Sequence, residues 1–193
     1  MPPLPSVTKA FILACVGAFC FFYLFPGLAP WFELWPLNSG LFMPWQVLSY
    51  AFLHGGFEHL LFNMLGLWMF GGELERVWGA KRYVQILVAS TLSAAAVQLL
   101  FTWLIGAMSP TVGASGAIFG LLLSFGMLFP NRIIVPLIPP IPMKAKYFVA
   151  IFGGLELLLG FNVSSGIAHF AHLGGMLGAW LLIKHSRSPR RRG

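Results

Sequence analysis

Six apolar stretches run along the chain, roughly at 8–25, 57–69, 83–105, 114–129, 147–161 and 167–183. Pro26-Gly27, Ser109-Pro110 and the proline-rich run from Pro136 to Pro142 separate them, as residues that interrupt regular backbone should. The second and fourth are short for a full crossing, and their flanks at 71–78 and 112–113 are expected to lengthen them. A span takes about 20 residues, so six would use about 120 and leave short connections. No repeat of 20–50 residues is visible.

Composition agrees with this pattern. Hydrophobic residues make up 58% of the 193-residue chain and charged residues only 9%. A soluble domain of this size has too little polar surface to cover so much apolar material. The expectation is an all-α integral membrane protein, a six-helix bundle forming one domain over residues 1–193. Residues 1–7 would be a cytoplasmic N-terminus, 27–45 an outer interfacial loop and 184–193 a basic cytoplasmic tail. Cys15 and Cys20 both fall in the first stretch, so they form neither a disulfide framework nor a C-x-x-C pair. That stretch lacks the usual A-x-A cleavage site and is read as an uncleaved span.

Charge sets the orientation. All 12 lysines and arginines lie in four places: Lys9; Arg76, Lys81 and Arg82; Arg132, Lys144 and Lys146; and the tail from Lys184 to Arg192. The first, third and fifth connections have none. Basic connections stay cytoplasmic, so both termini are expected inside. The net charge of +7 then follows from topology. Arg190-Arg191-Arg192 is read as an anchor at anionic headgroups, with no nucleic acid as partner. The short basic tail and the lack of a presequence point to a bacterial inner membrane. The first connection carries Trp31, Phe32, Trp35, Phe42 and Trp45, which suits a segment partly sunk in the outer leaflet.

With that orientation, the polar residues of three spans converge. His59 and Asn63 stand near the outer start of the second span, Ser115 near that of the fourth, and His172 near that of the sixth. Polar side chains inside a membrane are read as functional unless shown otherwise. Ser115 opens a helix, where unpaired N–H groups and the dipole favour negative charge. Gly113 and Gly116 allow close approach of a substrate backbone. Alone, Gly-x-Ser-Gly is better read as a helix-packing surface, because Gly116 and Gly120 form a small-residue face. His172 heads another such seam, Gly174 with Gly178 and Gly175 with Ala179. From there it can reach a facing helix, and if it meets Ser115 it can take the hydroxyl proton and return it to a leaving amine. His59 and Asn63 share one helix face, either as a structural pair or as donors to an oxyanion.

Other chemistry is less well supplied. The chain has no aspartate, so a Ser-His-Asp triad is ruled out. Glu58 and Glu156 are able in principle to orient a histidine, and a Ser-His dyad is the economical reading. His54, His59, His169 and His172 raise zinc as the competing chemistry, but H-E-x-x-H is absent and no metal or cofactor is expected.

In this order and on these spans, His59-x-x-x-Asn63, Gly113-x-Ser115-Gly116 and Ala171-His172-x-x-Gly175 resemble the motifs of the rhomboid intramembrane serine proteases. Gly71-Gly72-Glu73-Leu74-Glu75-Arg76 followed by Gly79 is similar to the family's segment at the end of the second span. The resemblance covers nearly the whole chain. It implies Ser115 as nucleophile, His172 as general base, and an oxyanion hole of His59, Asn63 and the Ser115 N–H. It also implies transmembrane protein substrates cut near their outer end, with the bilayer as the other partner. The chain departs from the family at two places. Gln46 follows Trp45 where many members have arginine, which puts the anchoring of the outer loop in question. Phe119 replaces a tyrosine, keeping a face to stack on His172 and losing the hydroxyl. Two other readings remain open. A catalytically silent rhomboid-like binding protein is disfavoured because serine and histidine are both present. A small transporter would need paired charges through both leaflets, and only Glu156 has that look.

Overall fold

Apolar residues fill the first helix, α1 (Ser6–Leu24), and only Thr8 and Cys15 of it are buried. Leu13, Phe21, Tyr23 and Leu24 face outward, as they would against lipid. Its first turn needs acceptors for N–H groups that no preceding carbonyl can reach. Glu75, itself buried, supplies them: its carboxylate accepts from Val7 N at 2.9 Å, Thr8 N at 2.7 Å and the Thr8 hydroxyl at 2.8 Å. Bonds to a charged acceptor contribute about 1.5–3 kcal/mol each, and the positive end of the helix dipole favours the same charge. Glu75 therefore fastens α1 to a distant part of the chain.

The computed structural model describes residues 3–136, 140–160 and 168–187. Among these, α1 is followed by α2 (Gln46–Ser49), α3 (Phe57–Gly66), α4 (Gly72–Ile105), α5 (Ser115–Leu128), α6 (Ala145–Leu159) and α7 (His169–Arg187). Two helices are long and apolar enough to cross a membrane by length and composition. They are α1 and the continuous 49-residue stretch Phe57–Ile105, while α5 is apolar but shorter. A π-helical turn, Leu67–Gly71, joins α3 to α4. At Gly79 the backbone leaves helical geometry, with φ 74° and ψ 162°. That is a conformation only glycine takes up readily, and it folds the stretch into two arms.

The sequence expectations hold unevenly. The flank 71–78 does lengthen the second apolar stretch. The flank 112–113 does not lengthen the fourth, because Gly113 has φ 125° and α5 starts at Ser115. A two-strand hairpin interrupts the all-helical pattern, β1 (Ile133–Ile134) pairing antiparallel with β2 (Met143–Lys144). The expected tail starting at 184 is still helical through Arg187. The ends of two expected spans, at 161 and 167, part of the run 136–142, and Arg190-Arg191-Arg192 lie outside the described residues.

Close packing of small residues holds α4, α5 and α7 together. Without a water-driven hydrophobic effect between helices in lipid, close contact itself is the main attraction. A Cβ on Gly116 would lie 2.6 Å from that of Ala94, and one on Gly174 would lie 2.8 Å from the Ser93 carbonyl oxygen. A Cβ on Gly175 would overlap the Gly116 carbonyl outright. No side chain separates α5 from α7 at that level.

The connection between α1 and α3 is tied down by Gln46, which is fully buried. Its Oε1 accepts from Met43 N at 3.1 Å and Trp35 N at 3.3 Å, and its Nε2 donates to the Leu41 carbonyl at 3.2 Å. The amide offers both an acceptor and donors, whereas a guanidinium offers donors alone. Gln46 thus anchors this loop through a different set of bonds from those arginine would make. Trp35 Nε1 donates to the Pro30 carbonyl and Trp45 Nε1 to the Trp31 carbonyl. Leu34 and Thr111 exchange two backbone bonds, joining this connection to the strand-like segment that leads to Ser115.

Candidate active site

The loop before α5 fixes where its first residue points. Gly113 N donates to the Tyr50 carbonyl at 2.9 Å, and the positive φ at Gly113 turns the chain into the helix. A Cβ at Gly113 would come within 2.7 Å of the His59 ring and displace it, while the positive φ itself requires glycine. The first helical bond of α5 runs from Ile118 N to the Ala114 carbonyl. The N–H groups of Ser115, Gly116 and Ala117 precede it and are left directed out of the helix end.

Contact between α5 and α7 then brings the two sequence candidates together. His172 Nε2 lies 2.7 Å from Ser115 Oγ. The imidazole stacks on Phe119, with centroids 4.3 Å apart and planes 5° from parallel. His172 is buried, and it shares with Ser115 and His59 a cleft of about 660 Å³. Gln98, Phe101, Thr111 and Phe170 line the same cleft, so it is mixed in character rather than purely apolar. Gly116 and Gly175 do their work in the helix contact described above.

The remaining sequence candidates fall in different positions. His59 lies at the cleft, beside Gly113. Asn63, one turn further along α3, is buried, and its Nδ2 donates to the His59 carbonyl at 2.7 Å. One N–H of its amide is therefore taken up by its own helix. His54 packs edge-on against His59, with centroids 5.1 Å apart. Burial holds its imidazole down to about 4, as does the neighbouring His59, against the opposing pull of the Phe52 carbonyl. His54 is neutral at physiological pH and adds no charge beside the cleft. Glu58 lines the cleft as well.

The sequence offers Glu58 and Glu156 as acids able in principle to orient a histidine and favours a bare dyad; the structure places Glu156 beside His172. Its Oε2 lies 2.8 Å from His172 Nδ1 and 2.6 Å from His169 Nδ1. The His169 contact is a hydrogen bond. At His172 the oxygen sits off the N–H direction, so that contact is close and electrostatic without being a well-aligned bond. The signal in the sequence was an isolated glutamate in an apolar stretch, but helix packing alone decides which histidine it meets. These donor atoms lie within 4.8 Å of one another and are the described group best arranged to hold a metal ion. Tetrahedral zinc with ligands at 2.0–2.1 Å separates its donors by about 3.3 Å. The observed 2.6 and 2.8 Å are hydrogen-bond separations, so the group fits shared protons better than a cation.

A family model of the rhomboid domain matches residues 41–187. The chain belongs to the rhomboid family. Rhomboid relatives include "Rhomboid protein 1, mitochondrial" of Saccharomyces cerevisiae, 33% identical over 155 residues, which cover 76% of this chain and 44% of that protein. "Putative rhomboid protease YdcA" of Bacillus subtilis is 32% identical over 141 residues, covering 72% of this chain and 65% of that one. "Rhomboid protease GlpG" of Klebsiella pneumoniae is 36% identical over 99 residues, or 49% of this chain and 35% of that protein. The chain spans less than two thirds of the length of each of these relatives.

Proposed function

We propose that this rhomboid is an intramembrane serine endopeptidase that cuts transmembrane helices of other proteins near the outer membrane face. The observation that carries the reading is the 2.7 Å contact between Ser115 Oγ and His172 Nε2 inside a cleft. In this reading the Ser115 hydroxyl donates to His172 Nε2 and attacks the scissile carbonyl as the proton moves to the imidazole. The carbonyl oxygen becomes an oxyanion beside the N-terminus of α5. There the Ser115 N–H, the His59 ring and the second N–H of Asn63 are the candidate donors. His172 returns the proton to the departing amine, leaving an acyl group on Ser115. Water deprotonated by His172 releases it. Gln98 and Thr111, joined at 3.1 Å, are polar groups in the cleft suited to admitting that water.

The same reading gives six spans: α1, the two arms of Phe57–Ile105 on either side of Gly79, α5, α6 and α7. The 14 residues of α5 rise about 21 Å, against a hydrocarbon core of about 30 Å. A helix that short begins inside the membrane, which suits a nucleophile lying below the outer surface. Relatives come from bacteria, from Arabidopsis thaliana and, as a mitochondrial protein, from yeast. The reading therefore rests on integral membrane position and not on a bacterial inner membrane. Reporters placed at 37–40 are expected to read external and reporters after Gly193 cytoplasmic. A cytoplasmic reading at 37–40 would put the cleft on the wrong face and end the topology.

A fluorophosphonate tests the chemistry. It is expected to label Ser115 in the purified protein, with labelling lost in His172→Ala, since an unassisted hydroxyl is a poor nucleophile at neutral pH. Chelators should leave labelling and cleavage unchanged. Equal labelling of Ser115→Ala, or activity abolished by chelation and restored by zinc, defeats the serine mechanism.

A further inference from the structure

We infer that Glu156 is a positioning residue that holds His172 in the tautomer needed of a base, making the assembly a Ser-His-Glu relay in place of a bare dyad. The inference rests on the serine protease reading above and deepens it. It begins with proton positions. To accept from Ser115, Nε2 of His172 must carry the lone pair, so the ring proton must sit on Nδ1. That N–H is buried, and a buried donor with no acceptor costs about 1–3 kcal/mol. Without an acceptor the proton would shift to Nε2, and the ring would cease to be a base toward Ser115.

Glu156 Oε2, 2.8 Å away, is the acceptor the fold brings to Nδ1. It is itself held by the His169 N–H at 2.6 Å, one turn before His172 on α7. The carboxylate side chain is 13% exposed and the two imidazoles 4% and 9%, so solvent cannot readily take over either role. Phe119 fixes the plane of the ring without fixing its tautomer, since an aromatic face has no directional preference between the two nitrogens. Stacking and carboxylate are thus complementary restraints. The off-line approach at His172 suits a contact that tightens when the imidazole becomes charged, because catalytic bonds are often loose before substrate binds. Once His172 holds the serine proton, a carboxylate at this distance also stabilises the imidazolium.

The test uses the full chain in detergent with a model transmembrane substrate. Glu156→Gln and Glu156→Ala are expected to lower kcat about 10²-fold with KM within about twofold of wild type. This is less than the roughly 10⁴-fold loss on altering a triad aspartate, because Phe119 still holds the ring plane. In ¹⁵N-histidine spectra of the wild type, His172 should carry its proton on Nδ1, and in Glu156→Ala the Nε2–H form should grow. A merely structural glutamate would leave the tautomer unchanged. If the wild type shows the proton on Nε2, or if Glu156→Gln keeps full kcat while Ser115→Ala is inactive, the positioning role is overturned and the dyad stands. Full activity of Ser115→Ala would instead remove the serine reading beneath it. Inhibition by micromolar zinc that is lost in both Glu156 variants would identify the cluster as a cation site, and would overturn the relay.

Discussion

Ser115→Ala and His172→Ala are each expected to reduce cleavage of a transmembrane substrate by about 10⁴-fold or more, with the double variant no worse than either single one. In the proposed mechanism the two side chains, 2.7 Å apart, share one proton, so removing either partner ends the transfer and removing the second takes nothing further. The measurement is single-turnover cleavage in detergent, with thermal unfolding followed in parallel. Both side chains belong to helices that are held by packing elsewhere, so unfolding temperatures should stay within a few degrees. Additive losses would mean that the residues act separately. Substantial turnover by Ser115→Ala would mean that another group attacks the peptide.

The second large effect is expected from Gly175→Val, which touches neither substrate nor proton. A side chain there overlaps the Gly116 carbonyl, which is helix backbone and unable to turn aside. Overpacking of side chains typically costs 1–3 kcal/mol, and a backbone clash should cost about 3 kcal/mol or more. The variant should lose stability and, in whatever fraction still folds, at least about 10²-fold in rate, because a shift of about 1 Å in reacting groups has that effect. The matched control is Gly154→Ala on α6, where a Cβ would meet nothing within 4 Å. There the gain in helix propensity should leave stability unchanged or higher by up to about 1 kcal/mol. Equal behaviour of the two variants would show that the α5–α7 contact does not set the geometry.

The sequence disclosed the parts of this structure that depend on local pattern. Apolar stretches located the helices, and polar residues near the starts of three of them supplied the candidates, of which Ser115, His172 and His59 share one cleft. Features set by backbone torsion or by distant packing were hidden. Val112 and Gly113 look like more of an apolar stretch, yet the φ of Gly113 forbids helix there. β1 and β2, at two residues each, are too short to show strand alternation. Gln46 reads as the loss of an arginine's donors, and only the folded loop shows backbone groups that match an amide's acceptor and donors. Glu156 stood out as a lone acid, but α3 and α6 both offered a glutamate, and only the docking of α6 on α7 selects between them.

The direct meeting of α5 and α7 backbones at Gly116 and Gly175 has a thermal consequence. Where helices meet through long side chains, warming populates other rotamers and the spacing drifts before anything unfolds. A spacer made of main chain has no such intermediate settings. The distance between Ser115 and His172 should therefore behave as a latched quantity, constant on heating until the two helices part. The rate of the chemical step would then follow a straight Arrhenius line up to the unfolding transition and break sharply there, without the gradual decline of a site that loosens first.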